Sequence, residues 1–340
     1  MTSSRPIEIV GGGLAGLSLG LALRRADVPV TVFETGTYPR HRVCGEFITG
    51  LDPTTTERLG LAPLISDALV HREVAWFIQD NPTRLQRLPA PALGLSRHTL
   101  DERLASAFTT AGGSLRTQTR VTDPTTPPGR IFASGRRRGR STWLGLKVHA
   151  LDLHLDHDLE LHLGNEAYLG LSRIENQRVN LCGLFRLRRS NQTGPELLLA
   201  YLRSAGLDAL AERLASVRFD PDSFCAVAGV CFDRRVPAAT EIRLGDQCAM
   251  IPPFTGNGMA MAFQSAAAAL DPLLAYSRDG LPWAHACAAV QLALRRRFRL
   301  RLAFADLLHP FLLQPSRQRW LAALSRSGLL PLRPLYSALH

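Results

Sequence analysis

Residues 7–16 read IEIVGGGLAG, and this stretch decides the fold. The four residues before the glycines form a short apolar run. Leucine and alanine then recur at helical spacing as far as Arg25, and a β-branched run follows from Val30 to Phe33. The order of strand, glycine turn, helix and strand predicts a βαβ unit, and therefore a parallel sheet.

The glycine spacing is typical of a turn that receives a dinucleotide pyrophosphate. Gly11 permits the tight turn, Gly13 lets the backbone approach the phosphates, and Gly16 lets the helix pack closely on the strand. The amides at the helix start then face negative charge. Glu34 ends the second strand, where a carboxylate accepts hydrogen bonds from ribose hydroxyls and repels a 2′-phosphate. This motif alone does not separate NAD from FAD.

A second motif, far downstream, identifies the cofactor. Residues 243–260 read RLGDQCAMIPPFTGNGMA and lie between an apolar strand and an alanine-rich helix. Asp246 can accept hydrogen bonds from a polyol chain. The glycine turn at residues 256–258 exposes backbone amides at the helix start, where they would stabilise negative charge on a reduced flavin ring. The two motifs together predict FAD.

The paired motifs resemble those of the flavoprotein superfamily that contains the geranylgeranyl reductases, the p-hydroxybenzoate-hydroxylase-type monooxygenases and the flavin halogenases. Residues 38–47, YPRHRVCGEF, are similar to the P-x-(K/R)-x-C-G stretch of the geranylgeranyl-reductase-like branch, in which this loop lies beside the flavin. Residues 96–101 are similar to the helix start that supplies an FAD-binding arginine. The strand around Val121 corresponds to the support for the adenine end.

The resemblance implies an α/β fold. It consists of a Rossmann-like FAD-binding domain of the glutathione-reductase type, an inserted antiparallel β-sheet that binds substrate, and C-terminal helices. We expect the FAD-binding domain at residues 1–70, 96–142 and 222–282, the substrate sheet at 71–95 and 143–221, and the helical segment at 283–340. The motifs and the resemblance together give the following expected FAD contacts: Gly11, Gly13, Leu14, Ala15, Gly16, Glu34, Arg42, Cys44, Gly45, Arg97, Val121, Gly245, Asp246, Pro252, Gly256, Asn257, Gly258 and Met259.

Departures from the family pattern bear on the reaction type. Aromatic hydroxylases carry an Asp-Gly motif linked to the pyrophosphate and the nicotinamide donor, whereas residues 133–136 here read ASGR. The W-x-W-x-I-P signature of the tryptophan halogenases is absent. These departures favour an FAD-dependent oxidoreductase of the reductase or dehydrogenase type. It would transfer hydride between the flavin and a hydrophobic isoprenoid, polyketide-like or lipid-like substrate.

Two other functions stay open. One is a monooxygenase that hydroxylates an aromatic or polyketide substrate through a flavin C4a-peroxide. The other is a non-catalytic flavin carrier. The expected partners are a hydrophobic small molecule and an electron donor, either NAD(P)H or a separate reductase or ferredoxin.

No catalytic side chain is assigned. Cys44 could donate a proton or act as a redox partner, or it could simply pack. Glu46 could polarise the substrate, or it could anchor a loop or lie at the surface. Trp143, His149 and Tyr168 are expected either to line the substrate cavity or to pack in the core. The remaining candidates are three histidines, which we interpret as a solvated sheet face and not a metal site: His154, His157 and His162.

Composition limits the cellular setting. The 340-residue chain has a net charge of +11, and residues 281–340 contain nine arginines and one acid, Asp306. No nucleic-acid motif accompanies this charge. The six cysteines form no CxxC pair, so we expect reduced, mostly buried thiols in the cytoplasm. The tail from Trp283 onward is expected to be mostly helix, interrupted by Pro310, Pro315, Pro331 and Pro334, and to cover the FAD domain. The alternative is peripheral contact with the inner face of a membrane.

Overall fold

The computed structural model describes residues 4–123, 125–136, 139, 141–232, 237–326 and 339. Its strands are β1 (Ile7–Val10), β2 (Val30–Phe33), β3 (Phe47–Ile48), β4 (Leu69–Ile78), β5 (Asn81–Gly94), β6 (Ser114–Arg116), β7 (Arg130–Phe132), β8 (Trp143–Ala150), β9 (Leu159–Gly164), β10 (Ala167–Arg173), β11 (Val179–Arg186), β12 (Phe219–Ala228) and β13 (Ile242–Arg243). Its helices are α1 (Leu14–Arg25), α2 (Pro53–Leu59), α3 (Arg97–Thr110), α4 (Gly194–Ser204), α5 (Asp208–Ala215), α6 (Gly258–Ser277), α7 (Trp283–Leu313) and α8 (Pro315–Arg326).

The N-terminal βαβ unit forms the centre of a five-stranded parallel sheet. The strand order is β13-β7-β1-β2-β6, and β1 pairs in parallel with both β2 and β7. Ile7 and Ile9 of β1 are fully buried in a core shared with α1, α3, α6 and α7. The carboxyl ends of β1 and β2 therefore point toward the same edge of the sheet, where α1 begins.

A larger sheet of eight strands has the order β12-β8-β11-β10-β9-β4-β5-β3. Its described pairs are antiparallel, except that β4 pairs in parallel with β9. The helices α4 and α5 pack on one part of this sheet and bury a second core around Leu146, Leu169 and Leu202. The α/β architecture expected from the sequence is confirmed in outline, but the second sheet is mixed and not antiparallel throughout, because β4 pairs in parallel with β9.

The sheet boundaries differ from the sequence expectations in several places, and one is β3, which lies within residues 1–70 but pairs with β5 in the larger sheet. Residues 151–158, whose leucines alternate with polar residues, form a loop because they have no strand partner; Leu155 is nonetheless buried in the second core. The predicted strand as far as Val121 stops at Arg116. The strand β12 pairs with β8, so the larger sheet extends past the boundary drawn at residue 221.

The C-terminal segment packs on both layers: the first part of α7 joins the core of the smaller sheet, and the end of α7 and α8 pack on the larger sheet. The buried side of α7 includes Val290, Leu294 and Phe298, which join the core of the first layer. The expected interruption at Pro310 is wrong, because α7 continues to Leu313. Pro310 removes one backbone N–H from the last turn of α7, and the helix still continues to Leu312 and Leu313, which are buried. The expected breaks at Pro331 and Pro334 lie outside the described residues. No described helix has an apolar stretch long enough to cross a bilayer.

Candidate functional site

A cavity of about 1090 Å³ is lined by residues of both sheets. Its walls include the glycine turn after β1, the loop at residues 40–47, interior positions of β8, β10 and β11, and the start of α6. Pockets for drug-sized ligands range from about 300 to 1,000 Å³. This cavity is therefore larger than a typical site for one drug-sized ligand.

The glycine turn has the backbone geometry that the sequence predicts. Gly11 has φ +116°, and a Cβ there would lie 2.3 Å from the carbonyl oxygen of Ala133, so only glycine fits. A Cβ on Gly16 would lie 2.0 Å from the carbonyl oxygen of Gly11. Gly16 therefore serves close packing and does not line the cavity. Gly13 precedes α1 and does line it. The first amides of α1 thus face open space, as an anion site requires.

Glu34 is buried at the cavity wall and is held by its neighbours. Its carboxylate accepts hydrogen bonds from the backbone N–H groups of Gly12 and Gly36, each at 2.9 Å, and from Arg40 at 3.0 Å. Burial alone would raise the pKa of Glu34, but the Gly36 hydrogen bond and the nearby Arg42 and Arg40 lower it overall. The carboxylate is therefore ionised at neutral pH.

Arg42 and Arg97 converge on one buried acid. Arg97 donates from Nε and Nη2 to the two oxygens of Asp101, at 2.7 and 2.8 Å, and Arg42 Nε donates to Asp101 Oδ2 at 2.9 Å. A Cβ on Gly13 would lie 4.0 Å from Arg97 Nη2. The Arg97 guanidinium therefore lies over the glycine turn, in a fixed orientation suited to an anionic group.

The downstream motif forms another wall of the same cavity. Asp246 lines it, and α6 begins at Gly258. Gly256 has φ +69°, and a Cβ there would lie 2.8 Å from the ring of Phe47. Asn257 is instead fully buried, and its Nδ2 donates to the carbonyl oxygen of Leu339 at 2.5 Å.

Three glycines of the cavity wall face empty space: Gly45, Gly135 and Gly258. A Cβ on Gly45 or Gly258 would meet no atom within 4 Å, and both residues line the cavity. Neither has a positive φ. Backbone surfaces left bare in this way are suited to close contact with a flat or bulky ligand.

A buried charge cluster connects the 40–47 loop to β8. Lys147 and Glu46 are fully buried, with Nζ 3.3 Å from Oε1. His149 Nε2 donates to Glu46 Oε2 at 2.6 Å, and Lys147 Nζ donates to His41 Nδ1 at 3.1 Å. Because lysine has no acceptor, His41 Nδ1 must be unprotonated here. His41 itself lines the cavity.

The protonation states in this cluster follow from burial and charge. Burial alone would raise the pKa of Glu46, but the hydrogen bond from His149 and the charge of Lys147 lower it overall. Burial, and then the charge of Lys147, lower the pKa of His41 to about 4. The candidate metal ligands His41, Glu46 and His149 lie within 4.8 Å of one another. The Lys147 ammonium contacts two of them, so the cluster already contains its own cation.

Sequence reasoning missed His41 and Lys147 in this cluster. Lys147 is the only lysine among forty basic residues. For Glu46, a surface position is wrong, because its carboxylate is buried; it also accepts the N–H of Arg97 at 3.0 Å, which anchors the loop to α3.

Cys44 lines the cavity and is half-buried. Its Sγ accepts from the Glu46 N–H at 3.5 Å, and burial raises the pKa of the thiol. The cysteines described are all free, but five of the six are only half-buried, contrary to the expectation of mostly buried thiols.

An apolar arm of the cavity leads away from the glycine turn and the start of α6. It lies between β4, β9, β10 and the C-terminal helices. Tyr168 stands where the two parts of the cavity meet, 6.4 Å from Phe254 between ring centroids. The Tyr168 hydroxyl is buried and forms no hydrogen bond of standard geometry with a described residue. The arm is lined by Val74, Trp76, Ile78, Leu88, Leu159, Leu161, Leu184, Met250, Leu308, Leu312 and Leu321, with Thr83, Arg84 and Gln86 of β5 as polar residues beside them.

Two of the three predicted substrate residues do not line the cavity. Trp143 stacks under the guanidinium of Arg186, 5.6 Å from its ring centroid, and His149 is turned toward Glu46. The interpretation of His162 as solvated is also wrong, because it is buried against Phe77, with ring centroids 4.3 Å apart.

Most of the predicted cofactor residues line the cavity, and three of them do not. Gly16, Pro252 and Asn257 are the members of the predicted set that do not line the cavity. The others line one continuous surface: Gly11, Gly13, Leu14, Ala15, Glu34, Arg42, Cys44, Gly45, Arg97, Val121, Gly245, Asp246, Gly256, Gly258 and Met259.

Sequence comparisons match limited parts of the chain. A family model described as an NAD(P)-binding Rossmann-like domain matches residues 9–46. A menaquinone reductase from Mycolicibacterium smegmatis is 27% identical over 129 residues, which span 37% of this chain and 32% of that protein.

Solved structures match nearly the whole chain. Pseudomonas aeruginosa PqsL in complex with 2-aminobenzoylacetate has a TM-score of 0.72 at 18% identity, covering 92% of this chain and 98% of that one. FqzB has a TM-score of 0.75 at 14% identity, covering 95% and 87%. The flavin-dependent brominase Bmp2 has a TM-score of 0.74 at 16% identity, covering 98% and 92%. These likenesses confirm the flavoprotein fold, and none of them singles out the geranylgeranyl-reductase-like branch.

Proposed function

We propose that this chain is an FAD-dependent oxidoreductase that acts on a hydrophobic small molecule. One observation carries the proposal. A single cavity joins a glycine turn, a fixed guanidinium and a helix start to an apolar arm with few polar groups. The first part has the donor set of a dinucleotide site, and the second has the lining of a lipophilic substrate site.

The residues present fit FAD. The α1 amides and Arg97 would hold the pyrophosphate, and the ionised Glu34 would accept from the ribose. The bare backbones of Gly45 and Gly258 would lie against the ring system. Bound FAD supplies hydride transfer, which protein side chains cannot perform. The protein contributes binding and orientation, and it excludes water from the apolar arm.

We favour a reductase or dehydrogenase acting on an isoprenoid, polyketide-like or lipid-like substrate, with NAD(P)H or a separate reductase or ferredoxin as donor. Ser134 in place of the hydroxylase aspartate supports this choice, as does the partial similarity to a menaquinone reductase. The second candidate is a monooxygenase. It is favoured by the likeness to PqsL, which is described as a probable FAD-dependent monooxygenase.

Glycine variants test the cofactor. The purified protein should bind FAD with visible flavin absorbance. Gly45→Ala and Gly258→Ala should each weaken FAD binding roughly tenfold or more, because the new methyl enters the ligand space. The melting temperature of the FAD-free protein should not fall, since each Cβ meets nothing in the protein.

Gly280→Ala is the matched control. Its Cβ would make an ordinary 3.4 Å contact outside the cavity, so FAD affinity should match that of the wild type. A colourless protein that takes up no added FAD would refute the proposal. Unchanged FAD affinity in both cavity variants would show that the bare backbones do not contact the cofactor.

Isotope labelling separates the two reaction types. The reduced protein is mixed with a lipophilic quinone or alkene under nitrogen and, in parallel, with an aromatic or polyketide substrate under ¹⁸O₂. A reductase converts the first substrate without oxygen. A monooxygenase instead leaves one ¹⁸O atom in the second substrate, and that result would overturn the reductase assignment.

A further inference from the structure

The outward side of α7 carries an uncovered apolar stripe. Leu292, Leu300, Phe304 and Leu307 are 49%, 64%, 37% and 63% exposed. At 3.6 residues per turn they fall within a sector of about 120°. Single exposed apolar residues are common on soluble proteins, whereas a contiguous stripe marks an interaction surface.

Arginines lie in and beside this stripe. Arg295, Arg296 and Arg299 are exposed, and none pairs with a carboxylate among the described residues. The nine arginines and single aspartate of residues 281–340 give +8 of the net +11. The opposite side of the helix packs in the core through Leu294 and Phe298. The stripe therefore belongs to a firmly held helix.

We propose that this face of α7 docks on the surface of an anionic lipid bilayer. The leucines and Phe304 would enter the acyl boundary, and the arginines would lie among the headgroups. Charge complementarity selects this occupant, because a neutral apolar partner would leave a dense group of arginines without counter-charges. No described helix can span a bilayer, so the contact is interfacial.

The same helix also borders the reaction cavity. Leu308 and Leu312 of α7, together with Leu321 of α8, line the apolar arm. A bilayer on the outer face would therefore lie about one helix diameter, roughly 10 Å, from that arm. This link to substrate delivery rests on the proposed function, whereas the docking itself does not.

Vesicle flotation tests the docking. The FAD-loaded protein should float with vesicles of phosphatidylcholine and phosphatidylglycerol and stay behind with pure phosphatidylcholine. Leu300→Asp with Leu307→Asp should lower partitioning at least roughly tenfold, since two inserted apolar side chains become charged. If the aspartates prevent folding, the double variant Leu300→Gln with Leu307→Gln takes their place in the flotation experiment. Leu187→Asp, at a 45% exposed leucine outside α7, is the control and should float like the wild type.

The arginines require a separate variant. Replacing Arg295, Arg296 and Arg299 with glutamine should weaken partitioning roughly a hundredfold, at about fivefold per arginine, and added salt should weaken wild-type binding. Equal flotation of the wild type and the Leu300/Leu307 variants would overturn the proposal. So would a wild-type dimer that these variants dissociate, because the stripe would then join two copies of the chain. Flotation without FAD binding would refute the proposed function and leave the docking intact.

Discussion

Lys147 is stabilised by a small set of partners. A buried ammonium is tolerated only when it is paired and hydrogen-bonded, and Glu46 and His41 satisfy both needs. Glu46 has φ +52°, in the left-handed region that glutamate seldom adopts. A strained backbone held by a buried ion pair indicates that the surrounding structure fixes this carboxylate in place.

We predict strong coupling between these two charges. Lys147→Met should lower the free energy of unfolding by about 3–5 kcal/mol, because the Glu46 carboxylate loses its cation while buried. Glu46→Gln should be similarly destabilising. The double variant Lys147→Met with Glu46→Gln should lose less free energy of unfolding than the two single variants lose in sum. Urea unfolding of the four proteins measures this difference. Additive losses, within about 0.5 kcal/mol, would contradict the pairing.

An ion pair also connects two elements of the larger sheet layer. Glu160 on β9 accepts from Arg213 on α5 at 2.7 Å and from His162 at 3.0 Å. Burial alone would raise the pKa of Glu160, but these partners lower it overall to about 2. Because the folded-state pKa is depressed, the stabilisation is complete above about pH 4.5 and is lost as the pH falls toward 2.

Glu160→Gln should therefore destabilise the protein in a pH-dependent way. We expect a loss of about 2 kcal/mol at neutral pH, less than for a fully buried pair because Arg213 is partly exposed. The difference in stability from the wild type should shrink as the pH falls from about 4.5 toward 2, because the unfolded wild type takes up a proton before the folded protein does. Urea midpoints across this range measure it. Glu196→Gln, which replaces an exposed acid on α4, is the control. If the difference in stability between Glu160→Gln and the wild type does not change with pH, the ion pair is not its source.

Elements with a local signal were predicted well. The βαβ unit, α3 and α6 follow from apolar periodicity, glycine spacing and capping residues that lie close together in the sequence. The loop at residues 151–158 has the alternation of a strand but no partner, and pairing is a tertiary property that alternation cannot supply. The parallel pairing of β4 with β9 joins segments more than 80 residues apart, so local pattern could not specify it.

At the scale of the whole molecule, the cofactor wall was easier to predict than the rest of the cavity. Its glycines and arginines lie in short motifs with a fixed chemical purpose. The partners of Glu46 come from β8, about a hundred residues downstream, so no motif contains them together. The cavity residues Trp76, Leu161 and Leu312 have ordinary apolar identities, and only the packing of three distant segments makes them neighbours.

The order of the strands has a consequence for biosynthesis. Among the described strands the chain passes from the smaller sheet to the larger at β3, returns at β6, leaves again at β8 and comes back only with β13. A nascent polypeptide therefore holds two unfinished sheets until β12 ends at Ala228, and the smaller sheet stays unfinished until residue 243 has left the ribosome. Late pairing of strands that are distant in the sequence slows folding. Unpaired strand edges stay exposed to aggregation in the meantime. Truncated polypeptides that end before residue 243 should aggregate and should not fold as an independent domain.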